Sequence, residues 1–154
     1  MKKFIEINHN NETRYLNLDE VTQIIWAKKS NKIIFNFKSL VNAKNTTFNN
    51  HFVPAFHYLL TKDDFEAEAM LKKFHEIVKE KSNDFLLVDD RNFIRIINFA
   101  NINSIMFEDN FIFVNFATSF SSQTFQELQE HSIKLSYPSN ATKTEIENFI
   151  KERL

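Results

Sequence analysis

The chain has 154 residues, 43% of them hydrophobic and 25% charged, with a formal net charge of −1. That length holds one domain or two small ones with a real core, and the near-neutral balance gives no global field to draw the protein onto nucleic acid or an acidic membrane. Glycine and cysteine are both absent, which excludes phosphate-cradling glycine loops, an EF-hand of the usual pattern, a GxSxG nucleophile elbow, disulfides, thiolate zinc sites and cysteine nucleophiles.

The chain opens Met1-Lys2-Lys3 and then alternates through Phe4-Ile5-Glu6-Ile7. A signal peptide needs an apolar run of at least about seven residues, which this opening lacks. No stretch approaches the roughly 18 apolar residues of a membrane span. A soluble cytoplasmic protein with no membrane association is the expectation.

Ile5 and Ile7 share one parity, which predicts a strand, and Tyr15 to Leu18 predicts a second one after a polar turn at Asn10-Asn11. Val21 and Ile24 then mark a bend before a third strand through Ile24-Ile25-Trp26. Ile33 to Phe37 is the clearest strand of all; the Asn42-to-Phe52 stretch reads as an irregular Asn/Thr-rich loop, and Phe56, Tyr58 and Leu60 alternate as a fifth extended run. His51 and His57 fall on the opposite parity to that run. Asp63-x-x-Glu66 is a capping box opening a helix over 64–81 with a stripe of Leu71, Phe74 and Val78. In the absence of glycine, asparagine is the residue expected at left-handed turn positions, in or beside Asn10-Asn11, Ser30-Asn31, Asn49-Asn50 and Asp109-Asn110.

The same order then recurs. Phe4 to Trp26 aligns without a gap with Phe85 to Phe107 at an offset of 81 (85 − 4), with identical pairs Phe4/Phe85, Asn11/Asn92, Arg14/Arg95, Asn17/Asn98 and Ile24/Ile105. The offset shrinks by two residues at each of three later loops, through Ile33-to-Phe37 against Ile112-to-Phe116, Thr47-Phe48 against Thr124-Phe125, and Phe74 against Phe149. Ile133, Leu135 and Tyr137 alternate as the second copy's fifth run, and Ser122 to His131 has the pattern of a short helix. Thr142-x-x-Glu145 opens a closing helix over 142–154 with Ile146, Phe149 and Ile150 on one side. The fold class expected is therefore α+β: a tandem duplication of an antiparallel strand-rich ββββ(β)α unit, residues 1–81 and 82–154, packed as an internal pseudo-dimer. In topology alone this arrangement resembles the PUR and Whirly single-strand binders.

Several residues are candidates for chemistry. Arg14 and Arg95 occupy equivalent positions and have the geometry to grip an anion, although Glu12 and Asp89 or Asp90 offer them structural partners. Asn17 and Asn98 are read first as bend caps, with a duplicated polar contact as the alternative. Trp26 beside Lys28, Lys29 and Lys32 has the aromatic-plus-basic character of a stacking surface for single-stranded nucleic acid. Strand Phe111 to Phe116 is apolar on both parities, so Phe113 is a candidate contact for a protein partner or a second copy. The pairs Asp63-Asp64 and Asp89-Asp90 suit helix and turn starts better than a catalytic dyad. His51 and His57 match no ligand spacing, and no serine has a base placed beside it; no cofactor, metal or catalytic residue is expected. The function expected is a non-enzymatic binding or regulatory module acting through protein–protein contacts, with a protein partner or self-association as a homodimer, and the alternative is a single-stranded nucleic-acid binder using Arg14, Trp26, Lys28, Lys29, Lys32 and Arg95.

Overall fold

A computed structural model describes residues 3–44, 50–117, 132–136 and 140–154. The elements are β1 (Phe4–His9), β2 (Glu12–Asn17), β3 (Val21–Ala27), β4 (Lys32–Lys44), β5 (Asn50–Leu60), α1 (Asp64–Lys81), β6 (Phe85–Asp89), β7 (Phe93–Asn98), β8 (Ile102–Phe107), β9 (Phe111–Phe116), β10 (Ser132–Ser136) and α2 (Asn140–Lys151). A 3-10 turn over Phe99–Asn101 makes the bend before β8. The protein is a mixed, strand-rich α+β fold in which every strand pairing is antiparallel.

The strands form a two-stranded sheet β1-β2, a three-stranded sheet β10-β9-β8 and a five-stranded sheet β5-β4-β3-β7-β6. The last draws strands from both halves of the chain: β3 meets β7 with Gln23 opposite Ile97, Ile25 opposite Arg95 and Ala27 opposite Phe93. The amide of Lys28 donates to the carbonyl of Asn92 at 2.9 Å and continues that ladder one step further. Two cores result. Ile24, Trp26, Ile33, Phe35, Ile94 and Ile96 share one face of the sheet and pack with Leu71, Phe74 and Val78 of α1 and with Ile5, Ile7 and Leu16 of the β1–β2 hairpin. Val88 and Ile97, on the opposite parity of β6 and β7, join Ile112, Val114, Phe116, Leu135 and Ile146. The β6–β7 pair is thus covered on both sides, which is why Ile94, Ile96 and Ile97 form a nearly continuous apolar run.

Local chemistry accounts for the boundaries. The hairpin β1–β2 closes on Asn10 (φ 49°) and Asn11 (φ 63°), two consecutive left-handed residues as a type I′ turn requires. The third positive φ among the described residues belongs to Lys29 (φ 69°), so the β3–β4 turn places its left-handed residue one step before the expected Ser30-Asn31. Asp63 accepts from the Glu66 amide at 2.8 Å, while the Glu66 carboxylate accepts from the Lys62 amide at 2.8 Å, which fixes the start of α1 at the expected residue. Helix α2 starts at Asn140 rather than 142: Ser139, Asn140 and Thr142 are all good helix-start residues, and spacing alone does not choose among them.

One expectation about the first half is corrected. The Asn42-to-Phe52 stretch is an irregular loop only in part, because β4 and β5 continue past a register shift into a paired arm from Leu40 opposite Pro54 to Lys44 opposite Asn50. The alternation of Phe56, Tyr58 and Leu60 is present, but with the opposite phase to that of the core. Leu59 is the residue opposite the fully buried Ile33, and it is 2% exposed, whereas Phe56, Tyr58 and Leu60 are 52%, 45% and 53% exposed. A one-residue shift of phase exchanges the two faces of a strand, and here β4 sets the phase. The corresponding core residue of β10 is Leu135, opposite Ile112. The expected helix over Ser122 to His131 and the turn residue Asn49 lie outside the described residues.

Candidate binding surface

The outer face of the β4–β5 pair carries three exposed large apolar side chains in a row, Phe56, Tyr58 and Leu60. Ile34 faces Tyr58 and Asn36 faces Phe56 across the ladder, with Lys32 opposite Leu60 at the end. The Lys32 ammonium lies 4.4 Å from the Tyr58 ring centroid, a cation–π contact that keeps the ring standing on the sheet surface.

At the far edge of β5 this face runs into a groove of about 860 Å³ lined by His9, Glu12, Arg14, Tyr15, Phe56 and Tyr58 among others. The groove exists because the β1–β2 hairpin reaches over the edge strand with side chains instead of backbone. Arg14 Nη1 donates to the Tyr58 carbonyl at 2.8 Å, and His9 Nε2 donates to the Leu60 carbonyl at 2.7 Å. Those carbonyls are satisfied without a ladder, so the edge is blunted against strand addition at this end while the rings beside it stay open. Tyr15, 66% exposed, forms the opposite lip.

The residues singled out from the sequence divide clearly. Arg14 lines the groove, but its guanidinium is already shared between the Tyr58 carbonyl and Glu12, with Nη2 2.8 Å from the Glu12 carboxylate. Arg95 is 8% exposed inside the five-stranded sheet, where Nη1 donates to Gln23 Oε1 at 2.9 Å and Nε lies 3.7 Å from Asp90. Burial lowers the Arg95 pKa and Asp90 opposes that shift. The two arginines therefore share neither a partner nor a cavity. Trp26 is 5% exposed, and its indole N–H donates to the Ser30 carbonyl at 2.8 Å; it fills the core and pins the β3–β4 turn, so it is no stacking platform. Lys28 pairs with Asp89 at 2.6 Å, Lys29 is exposed at its left-handed position, and Lys32 is the basic residue that meets an open aromatic. Phe113 is half-buried on the outer face of β9, opposite the 52%-exposed Met106, and Lys134 lies 5.7 Å from its ring.

Sequence reasoning missed Phe56, Tyr58, Leu60, His9 and Tyr15 as surface residues. The signal that would have found the first three was the parity of β4: Ile33 and Phe35 are the apolar side of the clearer strand, and the residues opposite them are Leu59 and His57. His57 stacks edge-on against Phe37 with centroids 5.3 Å apart.

The acidic pairs carry structural work. Asp63 caps α1, Asp89 meets Lys28, and Asp90 accepts from the amides of Asn92 and Phe93 at 2.9 and 2.8 Å. Among the described residues no cluster of three or more His, Cys, Asp or Glu has the geometry to hold a metal ion, and no helix is long and apolar enough to cross a membrane. A second groove, of about 660 Å³, lies where the end of α1 meets α2 and includes His75, Lys79, Asp84, Phe149 and Arg153. Arg153 donates to the Asn83 carbonyl, lies 3.8 Å from Asp84 and covers the Phe149 ring, so that groove's strongest cation is spent on holding α2 to the linker.

No family model, curated protein or solved structure matches the chain.

Proposed function

We propose that the protein is a non-enzymatic binding module of the cytoplasm that acts through protein–protein contacts, and that the outer face of β4–β5 with its groove is the binding surface. The observation that carries this reading is the exposure of three successive same-face residues, Phe56, Tyr58 and Leu60, on a strand whose other face places Leu59 in the core. An apolar strip of this kind, rimmed by Arg14, Lys32 and Glu12, has the composition of an interface centre with a polar rim. The rings enter any complex already held by the ladder and the Lys32 contact, which limits the ordering cost of binding.

The scaffold of that surface is, in the same reading, an internal pseudo-dimer made by tandem duplication. Each half runs through five strands and a helix in the same order. Asn17 and Asn98 both accept from the amide two residues on, at 3.1 Å from Asp19 and 3.1 Å from Ala100. A cation–π pair stands at one place in both halves with the partners exchanged: Lys32 on β4 with Tyr58 on β5, and Phe111 on β9 with Lys134 on β10 at 3.7 Å.

The test is capture of partners from cell extract on the wild-type protein and on a Phe56→Ser/Tyr58→Ser/Leu60→Ser variant, with bound proteins identified by mass spectrometry. A partner lost from the variant, which stays folded with a wild-type circular dichroism spectrum, is the expected result. Identical partner sets on both proteins would remove the β4–β5 face from consideration. The second reading, single-stranded nucleic acid, keeps support from Tyr58 and Phe56 beside Lys32, although Trp26 no longer contributes. A salt-dependent anisotropy change of a labelled oligonucleotide, abolished by the same triple variant, would favour it.

A further inference from the structure

We infer that the free edge of β8 pairs with β8 of a second copy, making a two-fold dimer with a continuous six-stranded sheet β10-β9-β8-β8-β9-β10. Among the described residues, six strands stand at sheet edges. Natural edges are blunted by charge, proline or covering groups. Five of the six follow that rule: β1 carries Glu6, β2 carries Glu12 and Arg14, β5 carries Pro54 and the His9 and Arg14 contacts, β6 carries Asp89 and β10 carries Lys134. β8 reads Ile102-Asn103-Ser104-Ile105-Met106-Phe107, with neither charge nor proline.

β3 shows what such an edge does when it is filled. It has the same place in the element order, takes β4 on one side and β7 on the other, and is buried from Val21 to Trp26. Among the described residues β8 takes β9 alone, and its Asn103, Ser104 and Met106 are exposed while Ile105 and Phe107 are only half-buried.

The occupant follows from the register. The Glu108 amide donates to the Phe111 carbonyl at 2.8 Å, so Glu108/Phe111 is a hydrogen-bonded pair. Antiparallel alternation then turns the backbone of Met106 toward β9 as well and leaves the N–H and C=O of Ile105 and Phe107 on the free side. A second β8 laid antiparallel with Met106 on the two-fold axis puts Ile105 opposite Phe107 of the other copy, twice. Every free donor meets a free acceptor, and the cross-strand pairs are apolar on aromatic. Glu108 falls opposite Ser104, so no like charges meet. Pairing with β2 of another copy in the β3–β7 register would instead set Glu12 against Glu108. The β8 pairing is self-complementary, as the symmetric dimer interface requires. It is separate from the β4–β5 face.

The test is a Met106→Cys variant of the full chain, which otherwise contains no cysteine. Non-hydrogen-bonded antiparallel partners place their Cα atoms about 4.5 Å apart, within disulfide range. Oxidation with diamide is expected to give a covalent dimer at least tenfold faster than for Lys73→Cys on the exposed side of α1. Wild type is expected at twice the 18.3 kDa chain mass by light scattering. Met106→Lys, a change at an exposed side chain, is expected to weaken that dimer at least 100-fold with an unchanged circular dichroism spectrum. The Phe56/Tyr58/Leu60 variant is expected to leave it intact. A wild-type monomer at about 100 μM, or Met106→Cys cross-linking no faster than the control, would overturn the inference, as would preferential cross-linking of Met106→Cys to Arg14→Cys.

Discussion

Arg95 on β7 reaches Gln23 on β3 with a 2.9 Å hydrogen bond between residues 72 positions apart, inside a sheet that leaves them 8% and 4% exposed. The bond crosses the β3–β7 junction that joins the two halves of the chain into one sheet. Asp90 supplies the counter-charge, and two backbone amides hold Asp90 in turn. Arg95 is thus a buried strut in the second half, and Arg14 is a surface clip in the first. Removing one member of a buried ion pair leaves the other uncompensated, which costs about 3–5 kcal/mol. Arg95→Ala is expected to lower the urea-unfolding free energy by about that much, and Arg14→Ala by roughly 1 kcal/mol or less, as for an exposed pair.

The phase of β5 gives a second expectation. Leu59 sits in the core, so Leu59→Ala is expected to cost about 2–5 kcal/mol in denaturant unfolding. Tyr58→Ala removes a 45%-exposed ring and is expected to cost roughly 1 kcal/mol or less. The reverse order of the two values would mean that the strand has the other face inward.

Lys29 holds φ at 69°, a conformation that penalises any residue with a Cβ. Lys29→Gly is expected to raise stability by about 1 kcal/mol, since the strain at an existing left-handed position exceeds the added freedom of the unfolded chain. The same change at Lys28, whose ammonium meets Asp89, is expected to lower stability. Thermal unfolding of both variants side by side is the measurement.

His75 provides the pH dependence. Its pKa is lowered from the ordinary 6.5, first by burial and then by Lys79, against an opposing pull from Glu76. The unfolded chain therefore binds a proton at higher pH than the folded one. Stability is full above about pH 6.5 and falls as the pH drops through the window down to the depressed folded value. His75→Gln is expected to remove this part of the acid loss. Parallel melting-temperature profiles from pH 7.5 to 5 check it, and superimposable profiles would rule out His75 as the cause.

Much of the fold was legible because its signals are local. Asp63 and Glu66 mark the start of α1, Asn10-Asn11 marks a hairpin, and the strand patterns of Ile5/Ile7 and Ile33-to-Phe37 need no tertiary context. What was illegible depends on neighbours. Phe56-Tyr58-Leu60 and His57-Leu59 are both plausible inner faces in isolation, and only pairing with β4 decides between them. Trp26 beside three lysines has the composition of a nucleic-acid surface, yet the ring lies in the core while Lys28 meets Asp89 and Lys32 meets Tyr58. Asn98 was readable as a bend cap, but its two further bonds, to the carbonyls of Leu18 and Val21 at 3.2 and 2.8 Å, come from a segment about half the chain away. Asn101 adds bonds to Asp19 and Val21, both at 2.8 Å, so the later segment clamps the earlier turn.

The β3–β7 junction also sets an order of events during synthesis. When Thr22 to Trp26 leave the ribosome, the strand that covers their edge has not been made. At about 5–20 residues per second, Asn98 follows Ala27 after roughly 4–14 s. For that interval a nascent chain carries an apolar strand with one open side, and non-local pairing of this kind is slow even once both strands exist. The protein's exposure to mispairing is therefore greatest before it is finished, and a ribosome that stalls between the two strands releases a fragment whose main sheet is missing an edge.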